Sequence, residues 1–106
     1  MSMFNKLDSV VERFETLTEK LADPSIYDRQ AEFKKISSER SNLEEVVNVY
    51  KEYKQLREDI DEAKEILKSE KDEDMREMAK EVIAENEPQL TPMEENLTIL
   101  LFPKDP

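Results

Sequence analysis

The sequence has 106 residues and a net charge of −11, and it contains no glycine, cysteine or histidine. These absences exclude a glycine-rich phosphate loop, a zinc site and thiol or imidazole catalysis within the chain. The charge disfavours broad contact with nucleic acid, and no apolar run approaches a membrane span. We therefore expect one soluble, cytoplasmic domain. Disorder is the competing interpretation of such a polar chain, but the regular spacing of its apolar residues argues against it.

The first predicted element is a helix from Ser2 to Ala22. Ser2 is a suitable N-cap. Asp23-Pro24 should end the helix, because a residue before proline is disfavoured in the α region. Its apolar residues recur at steps of three and four, at Phe4, Leu7, Val11, Phe14 and Leu21.

A short connector, Ser25 to Tyr27, follows this helix. We expect Ile26 and Tyr27 to close the end of a helical bundle. Asp28 is then well placed to cap the next helix.

The central predicted helix runs from Asp28 to Leu67 without proline or glycine and would extend about 60 Å. Its apolar stripe comprises Ile36, Leu43, Val46, Tyr50, Tyr53, Ile60 and Leu67. A helix of this length cannot bury the stripe on itself, so the flanking segments must lie along it.

Beyond Tyr53 the stripe of the central helix drifts. A strict heptad would place Arg57 and Lys64 inside, whereas the apolar residues move to Leu56, Ala63 and Ile66. A straight helix rotates slowly in this way against a seven-residue repeat. The drift also indicates a change of partner, with the first helix at one end and the third helix at the other.

A polar break from Lys68 to Asp74 precedes the third helix. Asp72, Glu73 and Asp74 favour the positive end of a helix dipole, so we expect capping here and no metal cluster. The methionines of the third helix are expected to fill the core, and adaptable binding of a partner is the less favoured alternative.

Two prolines, Pro88 and Pro92, interrupt the third helical pattern. Either one helix is kinked there, or two helices meet near Glu87 to Leu90. The stripe stays in phase across the prolines, which favours the single helix. The predicted fold is all-α, an elongated antiparallel three-helix bundle or coiled coil.

No catalytic, cofactor-binding or metal-binding residue is predicted. The serines have no histidine to activate them. The carboxylate pairs and the basic clusters are expected to be solvated surface, since no enclosed pocket would separate their pKa values. These are Glu44 with Glu45, Glu94 with Glu95, Lys34 with Lys35 and Arg40, and Lys51 with Lys54 and Arg57. The residues alone indicate an acidic helical interaction module.

Two stretches carry a family resemblance: Glu73–Ala79, which reads EDMREMA, and Leu100–Pro106, which reads LLFPKDP. They resemble the N-terminal domain of bacterial class-1 peptide chain release factors, most closely the type that reads UAA and UAG. The striped first helix, the Asp-Pro break and the central helix also fit this family, so the resemblance covers essentially the whole chain, and the C-terminal ending is its most specific part. The resemblance implies a helical domain over residues 1–101. It also implies that residues 102–106 begin a linker to codon-reading and hydrolysis domains that this sequence lacks.

The resemblance also implies contacts with the ribosomal stalk-base protein and with the GTPase-class release factor, made by a monomer. The family's Gly-Gly-Gln hydrolysis motif and Pro-x-Thr codon-reading motif are absent from the sequence. The chain by itself is therefore not expected to be an enzyme. The alternative is a free-standing acidic coiled-coil adaptor that self-associates.

Overall fold

The computed structural model describes residues 2–103. These residues form α1 (Met3–Ala22), a short 3₁₀ helix (Pro24–Asp28), α2 (Gln30–Ser69) and α3 (Glu73–Leu101). No strand occurs among the described residues, and the all-α prediction is confirmed. The predicted start of a linker lies partly within the described chain, where Phe102 and Pro103 follow the helix, and partly outside it, at residues 104–106.

Helix α1 begins and ends where its capping residues predict. The Ser2 hydroxyl accepts a 3.1 Å hydrogen bond from the Asn5 amide, which satisfies one of the free N–H groups of the first turn. Asp23 has an extended backbone and stops the helix before Pro24. Leu7, Phe14 and Leu17 are buried on one face.

The connector folds more tightly than the sequence indicates. The Asp23 carboxylate accepts a 3.0 Å hydrogen bond from the Ser25 amide, and this bond lowers the pKa of Asp23. An aspartate followed by proline in this way starts a turn, and here the turn continues as the 3₁₀ helix.

Two expectations for the connector were wrong. Ile26 is buried as expected, but Tyr27 is 61% exposed and lies against Phe33, with ring centroids 5.6 Å apart. Asp28 does not cap α2, because the 3₁₀ helix includes it. Arg29 takes the N-cap position of α2 and makes no capping hydrogen bond with its side chain.

Helix α2 has 40 residues and defines the long axis of the molecule. The molecule measures 61 × 36 × 22 Å, and its longest extent matches the length of about 60 Å of this one helix. The elongated shape is therefore confirmed. The drift of its stripe is also confirmed, since Ala63 is buried while Arg57 and Lys64 are exposed.

The partner of α2 changes along its length, as the drift predicts. Helix α1 lies antiparallel along the first half of α2, with Asp8 bonded to Tyr50 and Thr18 bonded to Arg40. Helix α3 lies antiparallel along the second half, so that Lys64 faces Glu87. The three helices overlap near the middle, in a core of Leu7, Val46, Tyr50, Tyr53 and Leu97. A second core of Leu17, Ile26 and Ile36 closes the α1 end.

Helix α3 is continuous through both prolines, so the two-helix alternative was wrong. Pro88 and Pro92 are exposed and lie four residues apart on one face. Each proline removes one backbone N–H donor, but on this face water can bond the freed carbonyl groups. A bend at the prolines stays a prediction.

The turn between α2 and α3 is closed from both sides. The Asp72 carboxylate accepts a 3.3 Å hydrogen bond from the Met75 amide, which confirms capping in this acidic segment. The Arg76 guanidinium donates to the Leu67 and Glu70 carbonyl groups at 2.7 and 3.1 Å. A cation at the C-terminal end of a helix is favoured by the helix dipole.

Candidate functional site

Three aromatic rings meet where the three helices overlap. Phe4 of α1 packs over Tyr50 and Tyr53 of α2, with ring centroids 6.5 and 5.6 Å away. The Tyr50 hydroxyl donates a 2.6 Å hydrogen bond to Asp8 of α1. The Tyr53 hydroxyl donates a 2.7 Å hydrogen bond to Glu94 of α3. The two tyrosines therefore tie the central helix to each of its neighbours.

The environment of the tyrosines determines their protonation. Burial, followed by the hydrogen bond and negative charge of Asp8, raises the pKa of Tyr50 to about 12. Burial and the hydrogen bond to Glu94 likewise raise the pKa of Tyr53. Groups that titrate so far above neutral pH are poor general acids and bases. We therefore interpret the two tyrosines as residues that hold the three helices together.

The prediction of solvated carboxylates holds for three of the four glutamates. Glu44, Glu45 and Glu95 are exposed, but Glu94 is half-buried and receives the Tyr53 hydrogen bond. The sequence signal for this bond was weak. It consisted of a polar residue beside the apolar stripe of α3, opposite a tyrosine whose hydroxyl needs a partner when buried.

The predicted solvated basic face is wrong for Arg40, because its half-buried side chain packs against α1. The Arg40 guanidinium donates to the Thr18 hydroxyl at 2.8 Å and lies 4.4 Å from the centre of the Phe14 ring. It also pairs with Glu44 at 3.5 Å. Lys34 and Lys35 remain exposed as expected. Arg40 therefore stabilises the packing of α1 on α2 by cation–π and polar contacts.

A second polar contact between α1 and α2 is the pair of Arg13 and Glu39. The guanidinium donates two hydrogen bonds to the carboxylate, at 2.6 and 2.8 Å. The bonds raise the pKa of Arg13 and lower the pKa of Glu39. Both side chains are exposed to solvent, so the pair contributes to register more than to stability.

The far end of the α2–α3 pair carries an open apolar groove of about 310 Å³. Met75 and Met78 line it and are 45% and 66% exposed, so the expectation that these methionines fill the core was wrong. Met93 is half-buried against the central core, as expected. Ala63, Ile66, Ala79 and Val82 also line the groove, together with Asp59, Glu62 and Asn86.

The described residues contain no cluster of three potential metal-ligating side chains. None of the helices found over residues 2–103 is both long and apolar enough to cross a membrane.

A family model described as the PCRF domain matches residues 10–106. The chain belongs to this family.

The chain is also similar to several bacterial proteins named peptide chain release factor 1. It is 45% identical to that of Clostridium botulinum strain 657, 44% identical to that of Lysinibacillus sphaericus and 43% identical to that of Lachnoclostridium phytofermentans, over 104 residues in each case. Each match covers 98% of this chain and 29% of the relative, so the chain spans less than a third of the length of the relatives it matches. No solved structure matches the chain.

Proposed function

We propose that this chain is the N-terminal helical domain of a peptide chain release factor that directs termination at UAA and UAG codons. The match to the PCRF domain over residues 10–106 carries the proposal. The similarity to proteins named peptide chain release factor 1 supports it over nearly the whole chain. In this proposal residues 1–101 are the domain and residues 102–106 begin the linker.

The chain itself contributes contacts and no chemistry. Release of the nascent peptide requires the Gly-Gly-Gln motif of the family, and this sequence contains no glycine. An acidic, elongated domain is suited to binding proteins and poorly suited to binding ribosomal RNA, whose phosphates repel it. We therefore assign to it peripheral contacts with the ribosomal stalk-base protein and with the GTPase-class release factor, in the cytoplasm and as a monomer.

A chimera tests the proposal directly. In it, this chain replaces the matching 104 residues of the Clostridium botulinum relative. The reference is the same relative with those residues deleted. We expect the chimera to release peptide at UAA and UAG, and to respond to the GTPase-class factor better than the deletion does. A folded chimera that performs no better than the deletion would refute the proposal.

The isolated chain provides the complementary measurement. Added to ribosomes stalled at a stop codon, it should hydrolyse no peptidyl-tRNA, and any release would overturn the assignment of chemistry to other domains. Light scattering distinguishes the adaptor alternative, because a self-associating coiled coil gains mass as concentration rises whereas the proposed domain does not.

A further inference from the structure

The groove between α2 and α3 is open because α1 does not reach it. Helix α1 begins at Met3, packs Phe4 beside Tyr53 and then runs toward the opposite end of α2. Beyond Tyr53, α2 is therefore accompanied by α3 alone, and a face that α1 covers elsewhere is bare. Exposed, clustered apolar side chains on a soluble protein mark a site of interaction.

The groove has the dimensions of a helix-binding site. Its lining residues on α3 run from Met75 to Asn86, which is about three helical turns or 17 Å. Apolar side chains at positions i, i+3 or i+4 and i+7 of a bound helix span about 10 Å, so a set of such anchors fits within this length. Methionine side chains are flexible and polarisable, so they adapt to such anchors.

The negative charge around the groove favours a basic partner. Asp59 and Glu62 lie in its lining, and among the described lining residues none is basic. Glu62 also belongs to an adjoining depression, which is lined by Glu58, Asp61, Glu65 and Gln55. The groove is thus flanked on α2 by a continuous row of acidic side chains.

Three nearby lysines pair with carboxylates other than Asp59 and Glu62 of the groove lining, and only Lys68 pairs with a residue of the adjoining depression, Glu65. Lys64 pairs with Glu87 at 3.8 Å, Lys68 with Glu65 at 3.1 Å and Lys80 with Glu77 at 3.3 Å. The net charge of −11 also makes a second copy an unfavourable occupant, since the two acidic surfaces would repel each other.

We propose that this groove binds a basic amphipathic helix of a partner protein. The apolar face of that helix packs on Met75, Met78 and Val82, and its basic flank faces Asp59 and Glu62. This assignment concerns the groove itself and stands whether or not the chain serves in termination.

A designed peptide provides the probe. We would use a fluorescent peptide of about 18 residues, made of leucine and lysine with leucine on one helical face. As a helix it is about 27 Å long, so it spans the groove with about one turn to spare at each end. Fluorescence anisotropy with the 106-residue chain should show saturable one-to-one binding that weakens as salt rises. A peptide of the same composition in scrambled order, and a leucine–glutamate version of the first peptide, should bind at least about tenfold more weakly.

Variants of the chain locate the binding. Met75→Gln with Met78→Gln should weaken binding at least about tenfold, because glutamine keeps the helix and removes the apolar contact. Asp59→Asn with Glu62→Gln should weaken binding and reduce its salt dependence. The matched control is Ile99→Gln, a residue of α3 that is 67% exposed outside the groove, and it should change nothing. Circular dichroism checks that each variant keeps its helix content.

Several results would overturn the proposal. They are an absence of saturable binding, equal affinity for the scrambled peptide, or an equal loss in the methionine variant and the Ile99 control. One further result would show that a second copy occupies the groove. The molecular mass of the native chain would double as its concentration rises, while the methionine variant would remain a monomer. None of these outcomes depends on the release assay.

Discussion

The Tyr50 hydroxyl donates a 2.6 Å hydrogen bond to the Asp8 carboxylate, although the two residues are 42 positions apart. About one turn further along α2, the Tyr53 hydroxyl donates a 2.7 Å bond to Glu94. One bond reaches α1 and the other reaches α3. Together they fix the register of both outer helices on the central helix, at the level where all three overlap.

We expect Tyr50→Phe to lower the free energy of unfolding by about 1 kcal/mol at neutral pH. The value lies below the range of about 1.5–3 kcal/mol for a hydrogen bond to a charged group, because Asp8 is exposed. Urea denaturation measures it. The control is Tyr27→Phe, at a tyrosine that is 61% exposed, and this variant should leave stability unchanged. Equal losses in the two variants would contradict the role of the Tyr50 bond.

The same variant should reverse its effect at high pH. The pKa of Tyr50 is raised to about 12, whereas an unfolded tyrosine titrates near 10. The contribution of the protonated hydroxyl, about 1 kcal/mol, is therefore complete below about pH 10. As pH rises toward 12, the unfolded chain ionises before the folded chain does, and the folded state loses at most about 2–3 kcal/mol in total, because an ionised Tyr50 would be buried beside Asp8.

Denaturation of the native chain and of Tyr50→Phe between about pH 9 and pH 12 tests this linkage. The native chain should lose more stability over that interval, so that it becomes the less stable of the two. Stability curves that stay parallel would show that Tyr50 titrates alike in the folded and unfolded states.

Leu97 should be among the most costly positions to truncate. It is completely buried where the three helices overlap, so Leu97→Ala should lower the free energy of unfolding by about 2–5 kcal/mol. Ile99→Ala, two residues away at a 67% exposed position, should change it by less than about 0.5 kcal/mol. Thermal unfolding of both variants provides the comparison, and a cost at Ile99 equal to that at Leu97 would contradict the packing described.

Replacing a proline in α3 should stabilise the chain. Pro92 lies inside a continuous helix, so Pro92→Ala should raise the free energy of unfolding by about 1–3 kcal/mol. Thr91→Ala, at the neighbouring exposed position, should gain only a few tenths of a kcal/mol from helix propensity, about 0.5 at most. A gain in Pro92→Ala no larger than that in Thr91→Ala would contradict the cost expected for a proline inside α3, because proline is well tolerated only in the first turn of a helix.

The helices could be predicted because their determinants are local. Apolar spacing predicted the long central helix, and its drift beyond Tyr53 predicted the change of partner. Ser2 and the Asp23-Pro24 step predicted both ends of α1, since capping depends on adjacent residues. The family resemblance extended over essentially the whole chain, with its most specific residues in the C-terminal half, and the family match then covered residues 10–106.

The wrong predictions concern contacts between residues distant in sequence, or competition between two local structures. The residues around Asp28 are compatible with a short 3₁₀ helix or with an N-cap at Asp28. The turn at Asp23 favours the 3₁₀ helix, which includes Asp28. The hydrogen bond between Glu94 and Tyr53, and the packing of Arg40 on Phe14, depend on how the helices are rotated. The exposure of Met75 and Met78 depends on where α1 begins, which lies outside the local pattern of α3.

The start of α1 and the end of α3 lie side by side near the middle of the long axis of the molecule. The Thr98 hydroxyl approaches the Met3 sulfur at 3.1 Å, and the Lys6 ammonium lies 4.6 Å from the centre of the Phe102 ring. A tag fused before residue 2 or after residue 103 would therefore be attached near the middle of the 61 Å long molecule. Both ends of its long axis would stay accessible for immobilisation, labelling or cross-linking.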